Sequence, residues 1–374
     1  MIQLSKDKCC GCKACEKVCS HRAIQMEVDK LGFAYPKIDL DKCVDCGLCN
    51  KVCPFENVDL KQNEAQKAYA VRHKDLSEIA KSRSGAAFIA LSNRILEQEG
   101  VVYGAGFSGH FKVTHKRAEN KIQRDEFRGS KYAQSDLNDV FPQIKNDLKD
   151  SKTVLFSGTP CQVAALQHFI PEKLKPNLFC IDIVCHGVAF PQVWDDFIFY
   201  IEKKEKKTIV GANFRDKNIF GWSGLHRESF KMMNGKTRTY PFTYYQPFLL
   251  RECCHYCSYA SIHRPSDITI GDFWGWQKVV SDMTSDDTGV SLVLCNTSKG
   301  HELFEASSEE LNRVQVPLES CLQPNLLRPT QEDDNRKLFE KEYEKRGFDY
   351  VRKRYWKTSL KQWTKHYIKR LLGR

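Results

Sequence analysis

One cysteine spacing, written twice in the first 53 residues, constrains this chain more than any other feature. Cys9, Cys12, Cys15 and Cys19 follow C-x2-C-x2-C-x3-C, and Cys43, Cys46, Cys49 and Cys53 repeat it, with Pro54 behind them. Three thiolates two residues apart can wrap one iron–sulfur cube from a short loop, and the fourth ligand then comes from elsewhere. Structural zinc needs four ligands and gains nothing from a third step of this size. A disulfide framework needs an oxidising compartment and a secretory leader, whereas the opening MIQLSKDKCC has no apolar h-region. The spacing is therefore read as two iron–sulfur sites in a reducing cytoplasm.

This is the two-cluster ferredoxin signature, in which the fourth cysteine of each run ligates the other run's cluster. The expected 4Fe–4S ligand sets are Cys9, Cys12, Cys15 and Cys53, and Cys43, Cys46, Cys49 and Cys19. Ser20 stands where the first run would carry proline, and Cys10 is a spare thiol in the first loop. The alternating stretch AIQMEVDKLGFAYPKI between the runs predicts a hairpin turning near Lys30–Gly32.

A chain of 374 residues implies two or three domains. Its hydrophobic content of 41% suits an ordinary core, and no run of about 18 apolar residues is present to span a bilayer. The net charge of +11 points to an anionic partner or surface. The ferredoxin-like domain is expected at 1–56, with a polar linker at 57–66. Beyond it, KAYAVRH (67–73) predicts a strand and 84–100 a helix capped by Ser84. Val101–Phe107 and Phe111–His115 predict strands joined at Ser108–Gly109. Two further strands (153–158 and 179–185) each precede a helix, the second at 191–205, and after residue 207 the pattern turns strand-rich. Strands alternating with helices favour mixed or parallel pairing. The fold class is α+β: a small two-cluster ferredoxin-like domain fused to a mixed α/β domain. Its expected regions are 66–150, 151–330 and a basic helical tail at 331–374.

A second chemical region lies in FSGTPCQ (156–162), where a strand meets a helix beside Cys161. The positive end of that helix favours a thiolate. Cys185 ends the next strand, followed by His186, and parallel neighbouring strands would bring both cysteines to one sheet edge. Cys254 and Cys257 follow in ECCHYC. These four thiols suit a third cluster, or they are buried thiols of the core.

The chain resembles the beta-subunit family of coenzyme F420 hydrogenases and dehydrogenases over about residues 66–310. The residues that carry the likeness are SGAAF (84–88), VVYGAGF (101–107), FRGSKYAQSDL (127–137), LFSGTPCQVAAL (155–166), DIVCHGV (182–188), FRDK (214–217) with GW (221–222), CHYC (254–257) and RPSDITIGDFWG (264–275). The resemblance implies FAD and iron–sulfur clusters, and electron exchange between a hydride carrier or organic substrate and one-electron partners. Cys161, Cys185, Cys254 and Cys257 match the family's recurring cysteines, which favours the third cluster. Ala86 stands where a second glycine is common, and Cys253 where a small residue is usual. The implied cofactor contacts are Ser84, Gly85, Arg128, Gly129, Ser130, Lys131, Gly158, Thr159 and Gln162. Arginine, lysine and backbone amides in that set suit a flavin diphosphate or its pyrimidine edge. His186 is the candidate proton donor, a catalytic role.

Residues 351–374 hold nine lysines and arginines and no acid, with Trp356, Leu360, Trp363, Tyr367 and Leu371 at helical spacing. Such a stripe either docks on the core or lies in an anionic membrane surface. No nucleic-acid motif accompanies the charge. The reading is a cytoplasmic iron–sulfur flavoprotein oxidoreductase, with membrane-peripheral attachment through the tail. Its partner is a redox protein or reduced coenzyme. The alternative is a carrier subunit without its own catalytic site, feeding a partner enzyme.

Overall fold

The computed structural model describes residues 5–58, 67–224, 227–240, 246–281 and 283–356. The N-terminal unit is built on the expected hairpin, β1 (Ile24–Val28) antiparallel to β2 (Ala34–Ile38). Two short helices, Ala14–Val18 and Leu48–Val52, each begin within one cysteine run. Gly32 stands at the hairpin turn with φ +87°, where a Cβ would come within 2.7 Å of the Gln192 nitrogen. The hairpin is thus pressed onto the rest of the protein, and the Gln192 amide donates to the Leu31 carbonyl at 3.1 Å.

The expected linker falls mostly on residues 59–66, outside the described residues. After it come β3 (Lys67–His73), β4 (Val101–Ser108), β5 (Lys112–Ala118), β6 (Val154–Gly158) and β7 (Leu178–Ile183). A separate three-stranded antiparallel sheet of β8 (Ile209–Asn213), β9 (Glu228–Met232) and β10 (Thr237–Tyr240) follows. Then β11 (Ile268–Asp272), β12 (Ser291–Cys295) and β13 (Leu311–Val316) return to the main sheet. Its order is β13-β3-β12-β11-β7-β6-β4-β5. The four central strands, β11, β7, β6 and β4, are parallel, and the flanking pairs are antiparallel. Strands from 66–150 and from 151–330 therefore share one sheet, and β3 reaches β12 and β13 across the chain.

Two local expectations shift. The strand expected at Phe111–His115 runs Lys112–Ala118. The helix expected from Ser84 is Ala87–Glu97, and its N-cap is Ala86 in the left-handed conformation (φ +65°). Ser84 instead donates its hydroxyl to the Val290 carbonyl at 2.8 Å, which ties this turn to the segment leading into β12.

The ferredoxin-like unit is packed into the main core. Leu31 and Phe33 of the hairpin join Phe190, Trp194, Phe197 and Phe339 in one apolar cluster. Cys10, Cys12, Ala14 and Val52 join Val163 and Leu166 in another. Burial of such aromatic and aliphatic side chains supplies about 1.5–3 kcal/mol each relative to exposure. The C-terminal helix Arg336–Tyr355 breaks at Gly347, which takes φ +73°. It buries Phe339 and Val351, and Tyr343 donates to Asp196 at 2.5 Å. Trp356, first of the predicted stripe, packs on Phe348 with ring centroids 5.5 Å apart. Leu360, Trp363, Tyr367 and Leu371 lie outside the described residues. Among the described residues no helix is long and apolar enough to cross a membrane.

Candidate functional site

The two cysteine runs line two small cavities, and each cavity mixes the runs. Cys19 lines the first together with Cys43, Cys46 and Cys49. Cys53 lines the second together with Cys9, Cys12 and Cys15. The first is the outer one: Cys46 is exposed, and Cys19, Cys43 and Cys49 are half-buried, whereas Cys9, Cys12, Cys15 and Cys53 are all buried. Burial, followed by the nearby sulfurs of Cys9 and Cys53, pushes the Cys15 thiol up to about 12. Thiolates crowded this closely persist only against compensating positive charge, which the iron of a cluster supplies. In the outer cavity the Ala23 amide donates to Cys19 Sγ at 3.4 Å.

Arg251 fastens the inner cavity to the main body. It is fully buried, and its guanidinium donates to the carbonyls of Cys9 (2.6 Å) and Ala34 (2.8 Å) and to Gln134 Oε1 (2.9 Å). It also lies over the Tyr35 ring at 4.3 Å. Gln134 in turn donates to the Cys10 carbonyl at 2.9 Å, and Tyr259 donates its hydroxyl to the Pro54 carbonyl at 2.6 Å. Gly11 sits in this contact with φ +67°, where a Cβ would lie 2.8 Å from the Arg251 guanidinium.

On the far side of Arg251 a third cavity is lined by Cys161, Cys185, Cys254 and Cys257, with Cys10 and Cys253 also on its wall. Three separated segments meet there for identifiable reasons. Parallel pairing of β6 and β7, with Gly158 opposite Asp182, brings the Cys161 and Cys185 loops to one sheet edge. The Cys254–Cys257 loop is pinned below them by Arg264, which donates to the carbonyls of Tyr259 (2.9 Å) and Ile183 (2.9 Å). Arg264 also makes a fully buried ion pair with Asp182 at 2.9 Å. Burial followed by Cys161 and Cys254 pushes the Cys257 thiol up to about 12. The Cys161 thiol is raised by its hydrogen bond with Cys10 and by burial, so the helix end does not by itself favour a thiolate there. The Gly187 amide donates to Cys185 Sγ at 3.4 Å. A four-thiol donor set of this kind fits a 4Fe–4S cluster. Cys10, read from sequence as a spare thiol, stands on the wall of both the inner and the third cavity.

The fourth cavity is much larger, about 470 Å3, within the range of small-molecule and cofactor sites. It opens at the carboxyl ends of the parallel strands, where α/β sheets bind ligands. Cys185, His186, Gly187, Val188, Thr159 and Gln162 line both it and the third cavity, so the two share a wall. Its lining includes Ser84, Arg128, Gly129, Ser130, Lys131, Gly158, Thr159 and Gln162, each expected from sequence to contact a cofactor. Gly85 is not among them: a Cβ there would lie 2.1 Å from the Val71 carbonyl, so this glycine serves sheet packing. Gly129 takes φ +75° with open space where a Cβ would stand, a left-handed turn that exposes backbone to a ligand. Thr159 and Gln162 form a reciprocal cap at the helix Pro160–Phe169. His186 lies on the shared wall, and burial followed by Arg215 holds its imidazole below the ordinary range.

Several lining groups were not singled out by sequence. His115 is buried, and its Nε2 lies 3.0 Å from the Ser157 carbonyl while Nδ1 meets Ser135 Oγ at 2.9 Å. Gln162 donates to that same Ser135 oxygen at 3.1 Å. Arg215 pairs with Asp272 at 2.9 Å and donates to the Tyr132 hydroxyl at 3.1 Å. Ser135, Arg215 and Asp272 all fall within the motifs FRGSKYAQSDL, FRDK and RPSDITIGDFWG, which were the available signal.

Residues 151–317 match the family of coenzyme F420 hydrogenase/dehydrogenase beta subunits, over the C-terminal part of that subunit. Residues 8–57 match a 4Fe–4S dicluster domain. Among solved structures, a chain from the xenon-derivatised F420-reducing NiFe hydrogenase complex of Methanosarcina barkeri is similar at 16% identity and a TM-score of 0.47. The likeness covers 74% of this chain and 92% of that one. No curated protein matches.

Proposed function

We propose that this chain, whose residues 151–317 match the C-terminal part of the coenzyme F420 hydrogenase/dehydrogenase beta subunit and whose residues 8–57 match a 4Fe–4S dicluster domain, is an FAD-dependent iron–sulfur oxidoreductase. The observation that carries the reading is the shared wall. Residues 185–188 separate a four-thiol cavity from a 470 Å3 pocket whose rim is arginine, lysine and turn amides. Arg128, Lys131 and the Gly129 turn suit the diphosphate of FAD, and the capped helix end at Thr159 and Gln162 suits its polar ring edge. Clusters supply one-electron storage when bound, and a flavin supplies the exchange between one- and two-electron chemistry.

The chain's own residues then have definite tasks. The crossed sets Cys9, Cys12, Cys15, Cys53 and Cys43, Cys46, Cys49, Cys19 hold the two N-terminal clusters. Cys161, Cys185, Cys254 and Cys257 hold a third. Arg251 and Tyr259, both buried, keep the ferredoxin-like unit against the third cavity. His186 carries a proton at the shared wall. The exposed Cys46 edge faces a redox partner protein. The six cations of residues 357–374 support peripheral attachment to an anionic membrane.

Anaerobic purification with iron counting and cofactor extraction tests the reading. One FAD per chain is expected with full iron. A protein replete in iron that neither contains nor takes up FAD would overturn it and leave the carrier-subunit alternative.

A further inference from the structure

A separate cavity of about 270 Å3 adjoins the large pocket. Both are lined by Ser82, Arg83, Arg128, Gly129, Ser130, Lys131 and Arg215, so the two share one basic wall. The annex adds Lys81 and Lys217, and its acid is Glu126. Six cations line the annex, and four of them, Lys81, Arg83, Arg128 and Arg215, are paired with Glu78, Asp125 or Asp272.

The arginines of this rim have nearby acids. Arg128 meets Asp125 at 2.9 Å and also Glu78, and Arg215 and Arg83 face Asp272 at 2.9 and 3.8 Å. The two lysines differ. Lys217 is buried, and its ammonium donates to the carbonyls of Ser84 (3.2 Å) and Thr288 (2.6 Å). Lys131 donates to the carbonyls of Glu126 (2.9 Å) and Arg128 (2.8 Å). Among the described residues neither ammonium has a carboxylate within ion-pair distance. An ammonium drawn out of water and met only by carbonyls has no counterion, so its charged form is disfavoured until a ligand supplies one. Burial accordingly holds both lysines down to about 7.

We propose that this annex is the substrate subsite, and that it takes an anionic organic substrate whose phosphate or carboxylate is met by Lys217. The proposal rests on the flavin reading for the large pocket and adds the charge class of the molecule that reacts beside it. The annex side chains Asn213 and Asn218 offer further polar contacts to such a group, and Phe107 and Phe214 an apolar wall for its body.

The test uses inorganic pyrophosphate as probe on the full chain loaded with FAD, followed by calorimetry. Saturable binding is expected. Lys217→Met should weaken it roughly tenfold or more, the loss of one charged hydrogen bond, and Lys81→Ala should weaken it less. Neither residue lines the large pocket, so FAD affinity should stay unchanged in both. Loss of FAD in Lys217→Met would overturn the proposal by assigning the annex to the cofactor's own diphosphate. Pyrophosphate binding indifferent to both variants would overturn it equally. A chain that takes up no FAD yet binds pyrophosphate through Lys217 would sink the flavin reading and leave the anion subsite standing.

Discussion

Ser135 Oγ lies 2.9 Å from His115 Nδ1, and the carbonyl on the other side of the ring decides which of the two donates. The Ser157 carbonyl, 3.0 Å from Nε2, can only accept, so Nε2 carries the hydrogen and Nδ1 receives the serine hydroxyl. Gln162 Nε2 completes the line by donating to Ser135. Protonating the ring would turn two donors toward each other in a buried site.

Stability should therefore fall in mild acid. Burial first, opposed by the Ser157 carbonyl and reinforced by Lys131, lowers the His115 pKa to about 4, with Asp136 the nearby acid. An imidazole depressed in the native state contributes its full stability above the unfolded value near 6.5. That contribution drains away as pH falls toward about 4, and amounts to roughly 3 kcal/mol. Denaturant unfolding at pH 7 and pH 5 should show a steeper loss in the wild type than in His115→Phe. Parallel losses in the two proteins would remove His115 as the cause.

The crossed cysteine sets predict crossed damage. Cys19 lines the cavity of the second run and Cys53 that of the first. Cys19→Ala should disturb the signal of the outer, solvent-facing cluster in EPR of the reduced protein, and Cys53→Ala that of the buried one. If each substitution removed the cluster of its own run, the crossing would be wrong.

The third cavity depends on a buried ion pair. Asp182 and Arg264 are both fully buried, 2.9 Å apart, and Arg264 ties the Cys254–Cys257 loop to β7. Arg264→Met strands the Asp182 carboxylate and frees the loop, at a cost of about 3–5 kcal/mol. Iron content should drop from about twelve to about eight per chain, four irons being one cube. Cys254→Ser with Cys257→Ser should lower iron by the same amount without that loss of stability. A wild-type chain with iron for two clusters alone would show that the four thiols are structural.

Gly85 predicts a purely structural effect. Its carbonyl accepts from the His73 amide at 2.8 Å, and a methyl there would meet the Val71 carbonyl at 2.1 Å and the Ser291 nitrogen at 2.7 Å. Gly85→Ala should destabilise by about 3 kcal/mol through overpacking, with FAD affinity of the folded fraction unchanged. Gly129→Ala has room for its methyl but a positive φ, so it should act on the turn and on flavin retention instead.

Local pattern carried much of this architecture. The hairpin between the cysteine runs, the strands about 67–73, 101–107 and 153–158, and the helix 191–205 were all legible, because each has a clear period or cap. The meeting of Cys161 with Cys185 was legible from the expectation of parallel pairing. Arg251 and Tyr259 were not, because their roles rest on contacts spanning more than 200 residues, which no local spacing encodes. Ser84 reads as a cap because a serine before an apolar run has that local chemistry. Its hydroxyl was instead claimed by the Val290 carbonyl on a distant loop. The union of regions 66–150 and 151–330 in one sheet was hidden in the same way, since β3 finds its partners only at residues 291–316.

The tail divides at Trp356. Up to that residue the C-terminal helix is held by Phe339, Tyr343 and Val351, and the Trp356 ring packs on Phe348 and Phe339. This end of the stripe is therefore docked on the core. Residues 357–374 carry six lysines and arginines and no acid, and each cation near an anionic leaflet contributes about 1 kcal/mol. Full-length protein should sediment with vesicles containing anionic lipid at low salt, and release as salt rises. It should ignore neutral vesicles, because a single apolar stripe is a weak anchor without the charge. Removal of 357–374 should abolish binding while leaving stability unchanged, since Trp356 and the helix before it stay in place. Equal binding with and without the segment would assign the attraction to the net charge of the body. No binding at low salt would leave these cations without a membrane role.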